Sequence, residues 1–169
     1  MFFVATAPLA GDGHVNVSPK GLDTFRVLGP DQVMYLDLTG SGVETIAHAR
    51  ENRRITLMFC AFEGPPRIVR FFGQAQVLVP GDERFDELVT SFEELPGRRS
   101  IIVVDVERVS DSCGYAVPLY SYGGQRDRLL DWAVNRGPEG LADYRSEVNA
   151  ASIDGLPGLP VPAAQEVGA

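Results

Sequence analysis

The sequence has only two cysteines, Cys60 and Cys113, and two histidines, His14 and His48. Without a Cys-x-x-Cys pair and with so few imidazoles, a zinc centre of the usual Cys/His kind cannot be assembled. No metal site is expected. Spacing alone does not decide whether the two thiols pair, and a reducing compartment favours free thiols. Apolar runs are short: Ile101 to Val104 is among the longest, far below the roughly 20 residues needed to cross a bilayer. No membrane partner is expected. Basic charge is also scarce, with 15 Lys and Arg against 23 Asp and Glu for a net charge of -8. That balance opposes binding to phosphate backbones or anionic lipid, so nucleic acid is not an expected partner. The segment Met1 to Ala7 lacks the basic flank and the length of a signal peptide, and a cytoplasmic location is the expectation.

What is present is a chain of 169 residues, 44% hydrophobic and 22% charged, enough to close one hydrophobic core. A single domain is expected over residues 1–150, followed by a Pro/Gly-rich tail, 151–169. Phe2 to Thr6, then Asp12-Gly13, then the alternating His14-Val15-Asn16-Val17 predict a hairpin. Gln32 to Leu38 predicts a third strand, with Val33, Tyr35 and Asp37 on one face. Glu44 to Asn52 predicts a short helix after the Thr39-Gly40-Ser41-Gly42 loop. Ile55 to Ala61 and Arg67 to Val79 predict two pairing strands, the second carrying a bulge at Gly73. Asp82 to Phe92 predicts a helix and Ile101 to Val106 a buried strand. Helices are predicted at Arg126 to Val134 and Pro138 to Val148, with Leu129, Leu130 and Trp132 as a core-facing stripe. About six antiparallel strands with flanking helices predict a mainly β, α+β fold closed into a small barrel, because closure removes exposed strand edges.

Four pieces carry a family resemblance: Val15-Asn16-Val17-Ser18-Pro19-Lys20-Gly21, the strand-loop-helix from Tyr35 to His48, Asn52-Arg53-Arg54-Ile55-Thr56-Leu57-Met58-Phe59, and Arg70 to Val77. In this order they resemble the FMN-binding split barrels related to pyridoxamine 5'-phosphate oxidase. The resemblance implies a homodimer and an FMN cofactor held by Asn16, Val17, Ser18, Lys20, Tyr35, Asp37, Ser41, Gly42, Thr45, Arg54 and Arg70. It also implies that Lys20 faces the substrate as the catalytic residue.

The residues themselves suit that chemistry. A strand ending Asn16-Val17-Ser18-Pro19-Lys20 presents hydroxyl, amide and ammonium groups to a ligand edge. Free N–H groups at a helix start form an anion site, and Ser41, Gly42 and Thr45 are the candidates for holding a phosphate. Relatives place a cation there, where this chain has Glu44. Taken alone, Ser18-Pro19-Lys20-Gly21 is a turn with a solvated lysine, and Ser41 or Thr45 is a helix cap. Both histidines read as solvated, Cys60 as a small buried hydrophobe, and Cys113 is left open. The Arg-x-His pair of true pyridoxamine phosphate oxidases near the C-terminus is absent, which opposes that particular substrate. The expected activity is FMN-dependent oxidation or reduction of a small molecule. The alternatives are a flavin-binding module without turnover and a deazaflavin-dependent reductase.

Overall fold

The computed structural model describes residues 1–160, and its centre is one antiparallel sheet. β1 (Phe2–Thr6) pairs with β2 (Asn16–Lys20), so that Phe2 stands opposite Lys20 and Thr6 opposite Asn16. The expected hairpin forms, but its second strand starts two residues late. Asp12-Gly13 lies within the longer connection, residues 7–15, and does not make the tight turn itself.

β3 (Phe25–Val27) pairs with β4 (Gln32–Leu38), α1 (Glu44–Asn52) follows, and then β5 (Arg54–Cys60) pairs with β6 (Ile68–Leu78). α2 (Glu83–Leu88) leads through a 3-10 turn into β7 (Arg98–Ser112), and α3 (Arg128–Val148) ends the regular structure. The strand order is β2-β1-β5-β6-β7-β4-β3. The register shift between β6 and β7 falls at Gly73 as expected, where a Cβ would lie 2.1 Å from the Asp105 carbonyl. Only glycine permits that approach.

The sheet is curled. Phe25, on the edge strand β3, packs its ring 5.5 Å from Phe2 of β1 and 5.1 Å from Phe59 of β5. Lys20, on the opposite edge strand, reaches Asp37 of β4. The two edges thus face each other across the interior without a ladder between β2 and β3, which makes the barrel split. There are seven strands where about six were expected. The extra one is β3, whose three residues are too few to show alternation.

β4 and β7 read as continuous apolar runs because each serves two cores. Val33, Tyr35, Ile102 and Val104 point into the barrel with Phe2, Val4, Ile46 and Leu57, and Met34, Leu36, Ile101 and Val103 pack beneath Phe85 and Phe92. At roughly 1.5–3 kcal/mol for each large apolar side chain, these two clusters are the main stabilising term. α1 supplies Ile46 and Ala49 to the inner cluster, so its N-terminus is fixed over one end of the barrel.

α3 breaks at Gly137 (φ 68°, ψ 174°), between the two segments expected from sequence. Its buried face is Ala133 and Leu141, not the expected Leu129-Leu130-Trp132 stripe. Leu129 is exposed, and Trp132 stacks edge-on at 5.0 Å against Tyr144 across the break. The small Ala133 is what allows the helix to lie against Gly97, where an added Cβ would sit 3.2 Å away. Beyond α3, Ala151 bridges Pro157, and Leu159 donates its amide to the Asn149 carbonyl at 2.8 Å. Arg50 of α1 holds the Gly158 carbonyl, and Leu159 packs on the core. The tail is docked over its described part; residues 161–169 of the expected tail lie outside the described residues. Among the described residues, no helix is long and apolar enough to cross a membrane.

Candidate functional site

Asp37 shares the inward face of β4 with Val33 and Tyr35 and is 3% exposed. A carboxylate there must be compensated. Lys20 donates to its Oδ1 at 2.8 Å, while Arg99 donates to Oδ2 from Nε at 2.8 Å and from Nη2 at 2.6 Å. The Ser100 hydroxyl adds a bond of 3.3 Å. Burial alone would push the carboxyl up, but Lys20 and Arg99 outweigh it and hold Asp37 at about 2. Asp37 is ionised and saturated.

Arg99 carries the network onward. Its Nη1 donates to the Gly42 carbonyl at 2.8 Å, to Asn149 Oδ1 at 3.0 Å and to the Gly40 carbonyl at 3.3 Å. Asn149, at the end of α3, also donates to the Gly40 carbonyl at 3.0 Å. The carbonyls of the glycine loop are therefore turned inward and held by two side chains. Arg145, one turn earlier on α3, has a buried Nε without a partner. Burial and the nearby Arg99 push its pKa down.

Beside this network lies a cavity of about 920 Å³, within the range of small-molecule and cofactor sites. Ser18, Lys20, Gly42 and Thr45 line one wall, and Phe62 and the segment Tyr120 to Arg126 line the other. The Lys20 side chain is 20% exposed, with its ammonium 5.8 Å from the Tyr35 ring centre. It is a half-buried ion-paired lysine, not the solvated turn residue of the plainer reading.

A second polar chain supports the same wall. The Ser18 hydroxyl donates to Asn16 Oδ1 at 3.1 Å, and Asn16 Nδ2 donates to Thr45 Oγ1 at 3.0 Å and Thr6 Oγ1 at 3.3 Å. Thr6 Oγ1 lies 3.0 Å from His48 Nδ1. His48 is completely buried, contrary to the solvated histidine expected, because the face of α1 from Thr45 to Ala49 is pressed against the sheet. Burial pushes its pKa down, and its Nε2 has no partner. His14 is exposed, as expected, with Nδ1 2.6 Å from Asp154 Oδ1; that hydrogen bond raises its pKa.

The residues expected to contact a cofactor do not all reach one space. Ser18, Lys20, Gly42 and Thr45 line the main cavity, while Asn16, Val17, Ser41 and Gly42 line a second cleft of about 530 Å³. Tyr35 and Asp37 lie buried behind the wall; the Tyr35 hydroxyl has no hydrogen-bond partner, and burial pushes its pKa well up. Arg54 and Arg70 line neither space: Arg54 holds the Pro8 carbonyl at 3.1 Å, and Arg70 contacts the Ser112 hydroxyl at 3.3 Å. At the start of α1 no side chain caps the helix. The Glu44 carboxylate lies there instead, 2.7 Å from where a Cβ on Gly42 would be, and accepts the Ile153 amide at 3.3 Å. Arg99, Asn149 and the Tyr120–Gln125 segment are not singled out by the sequence. The one signal for Arg99 is a basic pair abutting the apolar run of β7.

Comparison with known proteins agrees with this architecture. Residues 1–113 match the pyridoxamine 5'-phosphate oxidase family. The chain is 40% identical over 178 aligned residues to the pyridoxamine 5'-phosphate oxidase family protein ustO of Aspergillus flavus, covering 94% of this chain and 70% of that one. Among solved structures, HupZ of Group A Streptococcus superposes with a TM-score of 0.51 at 20% identity, covering 71% of this chain and 89% of the other. An FMN-binding protein from Syntrophomonas wolfei gives a TM-score of 0.51 at 13% identity, covering 65% and 75%. The structural likenesses speak to the fold, and the sequence matches to descent: the chain belongs to the pyridoxamine 5'-phosphate oxidase family and has its split-barrel fold.

Proposed function

We propose that the protein is an FMN-dependent oxidoreductase acting on a small molecule, working as a homodimer. The observation that carries this reading is the main cavity, with Lys20 on its wall held in place by the buried Asp37. Its donor set suits a flavin: the Ser18 and Thr45 hydroxyls, the Lys20 ammonium and the close backbone approach at Gly42 can meet ring-edge oxygens and ribityl hydroxyls. Bound there, the flavin would supply the electron transfer, since the cavity walls contain no cysteine or histidine. Lys20 would orient the substrate or stabilise negative charge next to the ring, and the Ser18-Asn16-Thr6-His48 chain would keep Ser18 in one rotamer. The family match and the FMN-binding Syntrophomonas protein of the same fold support the cofactor. Exposed Tyr115, Leu119 and Tyr122, with half-buried Phe62 beside Tyr120, support a partner subunit covering these residues.

The test is the absorption spectrum of purified protein, followed by titration of apo-protein with FMN. A yellow protein, or micromolar FMN binding with one flavin per chain, is the expected result. Absence of both would overturn the reading, and absorption at shorter wavelength would assign a deazaflavin instead. One observation favours binding without turnover: Lys20, Glu44 and Glu63 on the cavity wall are all already engaged within the protein. Failure of NADH, NADPH and dithionite-coupled acceptors to cycle the bound flavin would decide for that alternative.

A further inference from the structure

Along β2 the side chains of Asn16, Ser18 and Lys20 share one half-buried face, while Val17 and Pro19 between them are exposed. Same-face neighbours on a strand lie about 6–7 Å apart. Ser18 therefore stands between Asn16, which is bonded to Thr45 at the start of α1, and Lys20, which is bonded to Asp37. Ser18, Lys20 and Thr45 all line the main cavity.

What each of them offers a ligand is fixed by the bond it already makes. A side-chain amide has two N–H donors at one end and a carbonyl acceptor at the other. Around Asn16, two hydroxyl oxygens stand at one end, Thr45 Oγ1 at 3.0 Å and Thr6 Oγ1 at 3.3 Å, and one at the other, Ser18 Oγ at 3.1 Å. Only with Nδ2 toward the threonines are both N–H groups used, and the reverse strands one of them without an acceptor. The Ser18 hydrogen is thus committed to Asn16 Oδ1, and Ser18 shows its lone pairs to the cavity.

Lys20 is the opposite. An ammonium has three donors and no acceptor, and one of the three goes to Asp37. Along β2 the wall is therefore acceptor then donor, the complement of a ligand edge in which an N–H adjoins a C=O. Thr45 accepts from Asn16 and keeps its own hydrogen for the α1 end of the cavity. All of these bonds lie within one subunit and hold whether or not a partner covers the cavity.

We propose that Ser18 and Lys20 take the cyclic amide edge of a ring, Ser18 accepting from its N–H and Lys20 donating to the neighbouring carbonyl, with Asn16 as the positioning residue that keeps Ser18 an acceptor. This rests on the flavin reading above: the ring is the pyrimidine ring of the isoalloxazine, whose N3–H lies between two carbonyls. The ribityl chain then runs along β2 toward Thr45 and the start of α1.

The test compares FMN with N3-methyl-FMN in fluorescence titrations of the apo-protein, since the methyl group removes that one donor. Wild type should bind FMN roughly tenfold more tightly, the scale of one hydrogen bond whose acceptor is left unpaired. Ser18→Ala should weaken FMN and bring the two ligands within about twofold of each other. Asn16→Ala should lower the ratio too, because Ser18 is then free to turn its hydrogen to the cavity. Asn16→Asp keeps an acceptor for that hydrogen and should keep the ratio, while its added charge weakens both ligands alike. Both Asn16 variants weakening the two ligands equally would overturn the positioning role. Equal wild-type affinity for the two ligands would overturn the edge assignment and leave the flavin reading standing, whereas no FMN binding at all would end both. In the ligand-free protein, nuclear Overhauser contacts from the Asn16 Nδ2 protons should reach the Thr6 and Thr45 methyl groups. Contacts to the Ser18 methylene in their place would reverse the amide and overturn the proposal without any ligand.

Discussion

Asp37 and Arg99 meet through two hydrogen bonds to one carboxylate oxygen, at 2.8 and 2.6 Å, while Lys20 takes the other oxygen. Both residues are almost free of solvent, at 3% and 5% exposure. The pair joins β4 to β7 and, through Arg99, to the glycine loop and the end of α3. Breaking such a pair leaves an uncompensated buried charge, which costs about 3–5 kcal/mol. Arg99→Met should therefore lower unfolding free energy by about that amount in urea denaturation. Lys20→Ala should cost clearly less, because Arg99 still neutralises Asp37. Equal losses for the two variants would show that Lys20 is a structural residue first.

The same carboxylate gives an acid limit to stability. Its folded pKa of about 2 lies below the ordinary value of 3.8. A depressed folded pKa contributes stability that is complete above 3.8 and is lost as pH falls from 3.8 through about 2. The size is about 2 kcal/mol. Urea midpoints measured from about pH 5 to about pH 2 should fall more steeply in wild type than in Asp37→Asn, and parallel curves would remove Asp37 from the acid transition.

The pKa values of the two histidines should shift in opposite directions. Burial lowers His48, so its contribution is complete above the ordinary value of 6.5 and is lost as pH falls below it. Its hydrogen bond to Asp154 raises His14, whose contribution is complete below 6.5 and is lost as pH rises through the folded value. Proton NMR of the two imidazole C2 protons should give one midpoint on each side of 6.5, with the upper one moving down in Asp154→Asn. Coincident midpoints would contradict both environments.

Much of the barrel is legible in the sequence because its strands are long relative to their period. Gln32 to Leu38 and Glu44 to Asn52 are bounded to the residue by the Gly29-Pro30 turn and the glycine loop that flank them and by the absence of breakers within them. β3 is not, since Phe25–Val27 is shorter than two repeats of a strand. The α3 stripe misleads because amphipathicity by size favours Leu129 and Trp132, while close approach to Gly97 selects the small Ala133. Within the site, Ser18, Lys20 and Asp37 are named by the family resemblance; taken alone, Ser18 to Gly21 reads as a turn. Their partner Arg99 is not named, because nothing in a chain distinguishes it from Arg98 until β7 lies beside β4 and only one of the two turns inward. His48 deceives for a similar reason: its neighbours in sequence do not reveal that the sheet covers that helix face.

The start of α1 offers the last and sharpest test. About half a unit of positive dipole charge gathers at a helix N-terminus; here no side chain caps it, and the Glu44 carboxylate lies over Gly42. A flavin phosphate held at Ser41 to Thr45 would have to share this position with that carboxylate. Glu44→Gln removes the competing charge but keeps an acceptor for the Ile153 amide. FMN affinity should then rise roughly fivefold, the order of one charge at a helix end, while riboflavin affinity should stay within about twofold. Gly42→Asp should act the opposite way, adding a carboxylate where Glu44 already leaves no room. Flavin fluorescence titrations of the three proteins with both ligands make the comparison. An FMN affinity unmoved by either substitution, or riboflavin moving in step with FMN, would place the phosphate away from this helix, with Arg54, which holds the Pro8 carbonyl, and Arg70, which contacts the Ser112 hydroxyl, as the alternative anion partners.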